Sequence, residues 1–118
     1  MKSRQRAADQ LVTLFDSPLL RAVSEPSRLE VLKVLLVGGL LDIGEIAARL
    51  PIDRSVVSRH LKILEDAGVV VATKSGRHRL YQIDGPALIG ALERLVAEAK
   101  QLAVVCCPGP AAPPPRSR

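Results

Sequence analysis

Two short apolar stripes with helical spacing, joined by a tight turn, constrain the fold of this chain more than any other feature. Asp42 and Glu45 have the spacing of a helix-capping box, and the apolar residues that follow recur at i, i+3, i+4 and i+7 up to Pro51. The members of this first stripe are Ile43, Ile46, Ala47 and Leu50. After Asp53, the expected N-cap of the second helix, the second stripe consists of Val57, Leu61 and Leu64, and Gly68 ends it. Two helices joined by so short a turn predict a helix-turn-helix.

Two more helices are predicted before this unit. Residues 5–16 place Leu11, Leu14 and Phe15 on one face, and Pro18 is expected to end that helix. The next helix is expected to start with Ser24 as N-cap and Pro26 in its first turn, and to end at Gly38 and Gly39. Its expected buried stripe is Leu29, Leu32, Leu35 and Leu36.

After the helix-turn-helix the pattern changes to a β-hairpin and a last helix. "VVVATK" and "RLYQI" are rich in β-forming residues, and Gly76 between them supplies the positive φ that a hairpin turn often needs. Asp84 is expected to cap the last helix, whose apolar residues follow the 4-3-4-3 spacing of a coiled-coil seam. This predicted dimer seam consists of Leu88, Leu92, Leu95, Ala99 and Leu102. Cys106, four residues further on, continues the seam.

The predicted fold is therefore mainly α with a small β-hairpin (α+β), a winged helix-turn-helix with the order α-α-α-α-β-β-α. We expect it to form a homodimer through its first and last helices. A chain of 118 residues is long enough for one small domain, predicted here over residues 1–107. The Pro-rich segment "PGPAAPPPRSR", residues 108–118, is predicted to be a disordered tail. No apolar run approaches the ~18 residues of a membrane span, and the start lacks a signal-peptide core, so we expect a cytoplasmic protein without a membrane partner.

The charge pattern favours double-stranded DNA as the partner. The net charge is 17 − 12 = +5, and residues 54–81 alone carry six Lys or Arg against two acidic residues, a local charge of +4. The candidate DNA-binding residues are Arg54, Ser55, Ser58, Arg59 and Lys62 on the second helix of the unit, and Lys74, Arg77 and Arg79 on the hairpin. Ser58 and Arg59 are expected to face base edges, and the hairpin cations to meet the phosphate backbone. The alternative is a merely solvated basic face on an interaction module.

RNA and catalysis are disfavoured by composition. Phe15 and Tyr81 are the only aromatic residues, so the chain lacks a stacking platform for unpaired bases. The only histidines, His60 and His78, fall in the expected DNA-facing region, and no acidic residue is placed to orient them toward a nucleophilic cysteine. We therefore expect that the protein is not an enzyme.

In combination, four segments resemble the ArsR/SmtB family of small homodimeric winged-helix repressors. They are "LLRAVSEPSRLEVLKVLL", "IGEIAARL", "SVVSRHLKILEDAGVV" and "KSGRHRLYQI", within residues 11–83. The resemblance implies a dimer that binds its operator without a cofactor and leaves it when an inducer binds. Family members with arsenic or cadmium sites often carry two cysteines where this chain has Asp42 and Gly44. Zinc sites of the family use Asp, His and Glu on the last helix, where this chain offers Asp84 and no histidine.

Cys106 and Cys107 are then the leading candidates for the inducer site. Their Cα atoms are ~3.8 Å apart, below the ~4.4 Å of a relaxed disulfide, so the thiols are expected to be free or occupied by a ligand. Pro108 disfavours a helical Cys107, and at a helix end both sulfurs can turn toward one atom. The alternative is that Cys106 is only a small apolar seam residue, which leaves Cys107 unexplained.

Counting sulfur ligands favours a trivalent arsenical, As(III), as the thiophilic inducer. Two thiolates are too few for structural zinc, and four in a symmetric dimer do not give three to each of two arsenite ions. Methylarsenite has two open valences and fits the pair best. Arsenite with a retained hydroxide, antimonite and mercury stay open, and a persulfide- or redox-sensing repressor is the alternative function. A third ligand from the partner chain also stays open.

Overall fold

The structure, a computed structural model, describes residues 2–106, and the side chains of residues 3–105. Its elements in chain order are α1 Lys2–Phe15, α2 Pro18–Val23, α3 Pro26–Gly38, α4 Ile43–Ala47, α5 Arg54–Asp66, β1 Val70–Ser75, β2 His78–Ile83 and α6 Gly85–Cys106. The predicted helix-turn-helix is α4 and α5, and the predicted wing is the antiparallel pair β1 and β2. The winged helix-turn-helix prediction is confirmed. Cys107 and the predicted tail, residues 108–118, lie outside the described residues.

The predicted element order missed one helix. Pro18, expected only to end the first helix, is the first residue of α2, and the Ser17 side chain caps that helix by accepting a hydrogen bond from the Leu20 amide at 3.2 Å. Proline is favoured at a first helical position because its missing N–H is not needed there. The observed order is therefore α-α-α-α-α-β-β-α.

The start of α3 also differs from the prediction by one residue. Glu25, and not Ser24, is its N-cap, and the carboxylate of Glu25 accepts from the Ser27 amide at 2.6 Å. Ser24 instead closes α2, where its hydroxyl donates to the carbonyl of Arg21 at 2.9 Å.

The buried face of α3 was predicted only in part: Leu35 is buried and Leu32 packs on the core, as predicted. Val31 and Leu35 are buried, whereas Leu29 is 45% exposed and Leu36 is 75% exposed. The segment is apolar on several sides, so its periodicity does not single out one face.

The main core lies between α3, α4, α5 and the hairpin. Its fully buried side chains are Leu35, Ile46, Leu61, Leu64, Val31, Val57 and Val69. The capping box of α4 is present as predicted: the Asp42 carboxylate accepts from the Glu45 amide at 2.8 Å, and the Glu45 carboxylate accepts from the Asp42 amide at 2.9 Å. The shared core, with Ile46 of α4 packed among Val57, Leu61 and Leu64 of α5, leaves the polar residues of α5 facing outward.

The wing is held to this core by backbone hydrogen bonds. Leu41, just before α4, exchanges two such bonds with Tyr81 of β2, at 2.8 and 3.1 Å. Gly76 has the predicted positive φ, +61°, at the hairpin turn.

The helices at the two ends of the chain pack against each other. Ala7 and Leu14 of α1 form a small buried cluster with Leu102 of α6, and Val105 packs beside it. The residues of the predicted seam therefore divide between several environments. Leu88 and Leu95 pack on the main core, Leu102 packs on α1, and Leu92 and Ala99 are exposed. None of the helices within residues 2–106 is long and apolar enough to cross a bilayer.

Candidate nucleic-acid interface and cysteine pair

Helix α5 presents one apolar face to the core and one polar face to solvent. Asp53 occupies the N-cap in an extended conformation, as predicted, although its side chain makes no capping hydrogen bond. Val57, Leu61 and Leu64 are buried, as predicted. The five candidate DNA-binding residues of this helix are all exposed: Arg54, Ser55, Ser58, Arg59 and Lys62. The spacing places the last four away from the apolar face, whereas Arg54, three residues before Val57, lies nearer to it in the first turn.

Only a weak ion pair engages the cations of this face among the described residues. Lys62 Nζ lies 3.4 Å from a carboxylate oxygen of Asp66, one helical turn further on, and both side chains are more than 60% exposed. Exposed pairs of this kind contribute about 0–1 kcal/mol. A phosphate oxygen can therefore replace Asp66 at little cost.

The three hairpin cations lie in two different environments. Lys74 and Arg77 are exposed, and neither has an ion pair within residues 3–105. Arg79 is also exposed, but its Nη2 lies 3.1 Å from Glu65 Oε2 and its Nε donates to the hydroxyl of Tyr81 at 3.3 Å. The hydrogen bond to Tyr81, together with the charge of Glu65, raises the pKa of Arg79. The sequence reasoning missed Glu65 and Tyr81, because only the folded hairpin brings them to Arg79.

A second contact joins the wing to α4. His78 Nδ1 lies 3.4 Å from Asp42 Oδ2, while the other carboxylate oxygen of Asp42 caps α4. Asp42 therefore connects the start of the helix-turn-helix to the wing. The capping-box spacing predicted that Asp42 caps α4, but no local sequence pattern predicts its contact with His78.

His60 lies on α5 but faces the interior. Both ring nitrogens are buried, and neither has a hydrogen-bond partner among the described residues. Burial lowers the pKa of His60, as do the charges of Arg28 and Arg59, whereas Glu25 raises it. The imidazole is therefore held toward its neutral form, and its buried nitrogens are not part of the exposed face of α5.

The candidate inducer site lies at the limit of the described structure. Cys106 is the last residue of α6, and neither its side chain nor Cys107 is among the described parts. Just before it, a cavity of about 250 Å³ between α1 and α6 is lined by Arg4, Ala7, Ala8, Leu11, Leu102 and Val105. No cluster of three or more potential metal ligands occurs within the described residues. The two thiols thus directly follow the helical segment that packs on α1.

Comparison with known proteins identifies the family. Residues 25–71 match the description "Bacterial regulatory protein, arsR family". The chain is 42% identical over 76 residues to the HTH-type transcriptional regulator CmtR of Mycobacterium tuberculosis, a match that covers 64% of each chain, just under two thirds. It is 34% identical to the transcriptional activator HlyU of Vibrio cholerae over 70% of this chain and 79% of that protein.

A solved structure gives the same result. The chain is similar to a protein described as "Possible transcriptional regulator for arsenical resistance", with 34% identity, a TM-score of 0.56, and coverage of 67% of this chain and 93% of that one. These relatives are named as transcriptional regulators and not as enzymes, in agreement with the sequence prediction. The chain belongs to the ArsR family of bacterial regulatory proteins.

Proposed function

We propose that this protein is a DNA-binding transcriptional repressor that a thiophilic inducer releases from its operator. The observation that carries the proposal is the two-sided α5, whose apolar face is locked in the core while its five polar and basic residues are exposed together. A helix of 13 residues is ~20 Å long and fits lengthwise in a major groove about 12 Å wide. Lys74 and Arg77 then lie on the wing as cations for the phosphate backbone.

Two features support duplex DNA over single-stranded nucleic acid. Tyr81 is only 6% exposed, and the other aromatic residue, Phe15, lies on α1 outside the helix-turn-helix and wing. Base stacking on aromatic rings is the usual means of binding unpaired bases, and neither ring is available on the basic face. The exposed Arg and Ser side chains of α5 instead suit the base edges and phosphates of a groove.

We propose that the functional unit is a homodimer. Leu11, Val12 and Phe15 of α1 are 45–69% exposed, and Ile89, Leu92 and Val96 of α6 are 43–54% exposed. These six residues lie on the two helices that pack against each other, and exposed apolar surface of this kind is costly to leave in water. A twofold axis through this surface would present two copies of α5 to successive major grooves, about 34 Å apart.

We propose that Cys106 and Cys107 bind the inducer, a trivalent arsenical such as methylarsenite or arsenite. A vicinal pair of soft ligands matches the two open valences of methylarsenite, and one similar structure is described as a regulator for arsenical resistance. A persulfide- or redox-sensing role, or a mercury-sensing role, is the alternative, because vicinal thiols also react with those agents.

The proposed mechanism is a shift in population between two dimer geometries. Leu102, one helical turn before Cys106, packs on α1 and lines one cavity together with the exposed Leu11. Chelation by the two thiols changes the end of α6, and the α1–α6 contact repacks. The two copies of α5 then lose the groove spacing. A few kcal/mol of differential inducer binding is enough for such a shift.

The proposal is tested by retention of DNA on the immobilised protein. We expect native protein to retain a small set of fragments from the genome of its source, to release them with methylarsenite, and to give the same salt dependence for each. Transcription from a retained promoter should rise with inducer, which distinguishes repression from activation. Uniform retention of all fragments would instead indicate a non-specific basic module.

A further inference from the structure

Arg79 contacts two residues: Glu65 on α5, and Tyr81, the buried residue of its own strand β2. Its Nη2 lies 3.1 and 3.4 Å from the two carboxylate oxygens of Glu65, near the C-terminal end of α5. Its Nε donates to the hydroxyl of Tyr81, and the guanidinium carbon lies 5.9 Å from the centre of the same ring. Arg79 and Tyr81 are two residues apart and so share one face of β2.

The outer part of the wing has little else to hold it. Residues 73–79 are all exposed, and among the strand residues only Val70 and Tyr81 are buried. An isolated two-stranded hairpin is marginally stable in water. The neighbouring residue, His78, contacts Asp42, the N-cap of α4. Two consecutive residues of β2 therefore contact the two helices of the helix-turn-helix.

We propose that Arg79 is a positioning residue that fixes the wing against α5, and that Lys74 and Arg77 supply the phosphate contacts of the wing. Lys74 faces Arg79 directly across the hairpin. Like charges in that arrangement repel each other. Glu65 attracts the Arg79 guanidinium toward α5. Lys74 has no ion pair within residues 3–105, so its ammonium group stays available to a phosphate. This inference rests on the proposed DNA binding for its functional consequence, but the anchor itself belongs to the free protein.

The test compares Arg79→Gln, Glu65→Gln and the charge swap Glu65→Arg/Arg79→Glu in the full chain, with Arg77→Gln as the control. The probe is a duplex of a genomic fragment that the native protein retains. If Arg79 is an anchor, both single variants should weaken binding about two- to fivefold, the range that exposed ion pairs support, and keep the native salt slope. The swap should restore most of the affinity, whereas Arg77→Gln should reduce the salt slope by about one unit.

A phosphate contact by Arg79 predicts a different pattern, which would overturn the inference. Arg79→Gln would then reduce the salt slope as Arg77→Gln does, Glu65→Gln would bind as well as native protein or better, and the swap would bind worst.

A second readout does not depend on DNA. Tyr81 is the only tyrosine, and the chain has no tryptophan, so intrinsic fluorescence reports on this ring alone. Both single variants should change the Tyr81 emission and the swap should bring it back toward the native spectrum. Native emission in both single variants would overturn the anchor even if no operator is found. If the variants show these spectral changes but the native protein binds no DNA, the result would instead count against the proposed function.

Discussion

Leu102 and Leu14 lie in the same small buried cluster, which joins the last helix of the chain to the first. Cys106 follows Leu102 by four residues, about one helical turn. The candidate inducer site is therefore one turn from a contact with α1, the helix that carries the exposed Leu11, Val12 and Phe15. This short connection gives a ligand at the end of α6 a physical route to the proposed dimer interface.

Leu92 tests the dimer interface more cleanly than Leu95 does. Leu95 packs on the core of its own chain, whereas Leu92 is 43% exposed between Ile89 and Val96. Leu92→Glu should leave the fold intact and weaken dimerisation at least about 100-fold, because an unpaired charge buried at the interface costs several kcal/mol. Sedimentation equilibrium measures the change.

Val37→Glu is the matched control for this experiment. Val37 is 83% exposed on α3 and lies outside the proposed interface. This variant should remain dimeric. Monomers from Val37→Glu and dimers from Leu92→Glu would place the interface on α3 instead.

If α5 contacts base edges and the wing contacts phosphates, substitutions in the two elements should give two kinds of DNA-binding defect. Arg59→Ala should lower the discrimination between operator and random duplex by about 1–3 kcal/mol for a lost bidentate base contact. Arg77→Ala should weaken binding to both duplexes alike and reduce the salt slope by about one unit. Titrations on both duplexes at several salt concentrations measure the two quantities. Equal losses of discrimination in both variants would contradict the assignment.

His60 predicts a loss of stability in mild acid. Because its pKa in the folded protein is lowered, the unfolded chain binds more protons as the pH falls below about 6.5, and the free energy of unfolding decreases there. His60→Leu removes both unpaired ring nitrogens. At pH 7.5 this variant should be as stable as native protein or up to ~1 kcal/mol more stable, and its advantage should grow at pH 5.5. Urea unfolding at the two pH values measures this. An advantage that shrinks in acid would reverse the sign that we assign.

Those elements with an unambiguous local signal were predictable from the sequence. The stripe of Val57, Leu61 and Leu64 is the buried face of α5, and Gly76 has the positive φ that its place in the hairpin suggested. The apolar residues of α3 lie on several sides of the helix, so the choice of Val31 over Leu29 depends on what packs against it. Pro18 was ambiguous because proline ends one helix and begins another equally well.

The sequence predicted which residues of the candidate interface are exposed, but it did not predict the side-chain contacts between them. Arg59 and Arg77 are exposed as the helical and hairpin patterns suggested. The contact between Arg79 and Glu65 joins residues 14 apart in the chain, and it exists only because the hairpin folds back over α5. The 4-3-4-3 spacing of α6 likewise predicted one seam, whereas Leu88 and Leu95 are used by the core of the chain itself.

Release of the operator by methylarsenite tests the central claim most directly. Fluorescence anisotropy of a labelled operator duplex is followed during titration of native protein, Cys106→Ser, Cys107→Ser and the double variant, with arsenite, mercury and a persulfide donor as comparison agents. All four proteins should bind DNA with similar affinity, and only the native protein should dissociate with methylarsenite. A single remaining thiol loses the chelate advantage, an effective concentration in the millimolar range. Dissociation of the double variant by methylarsenite, or of native protein by the persulfide donor alone, would contradict the account.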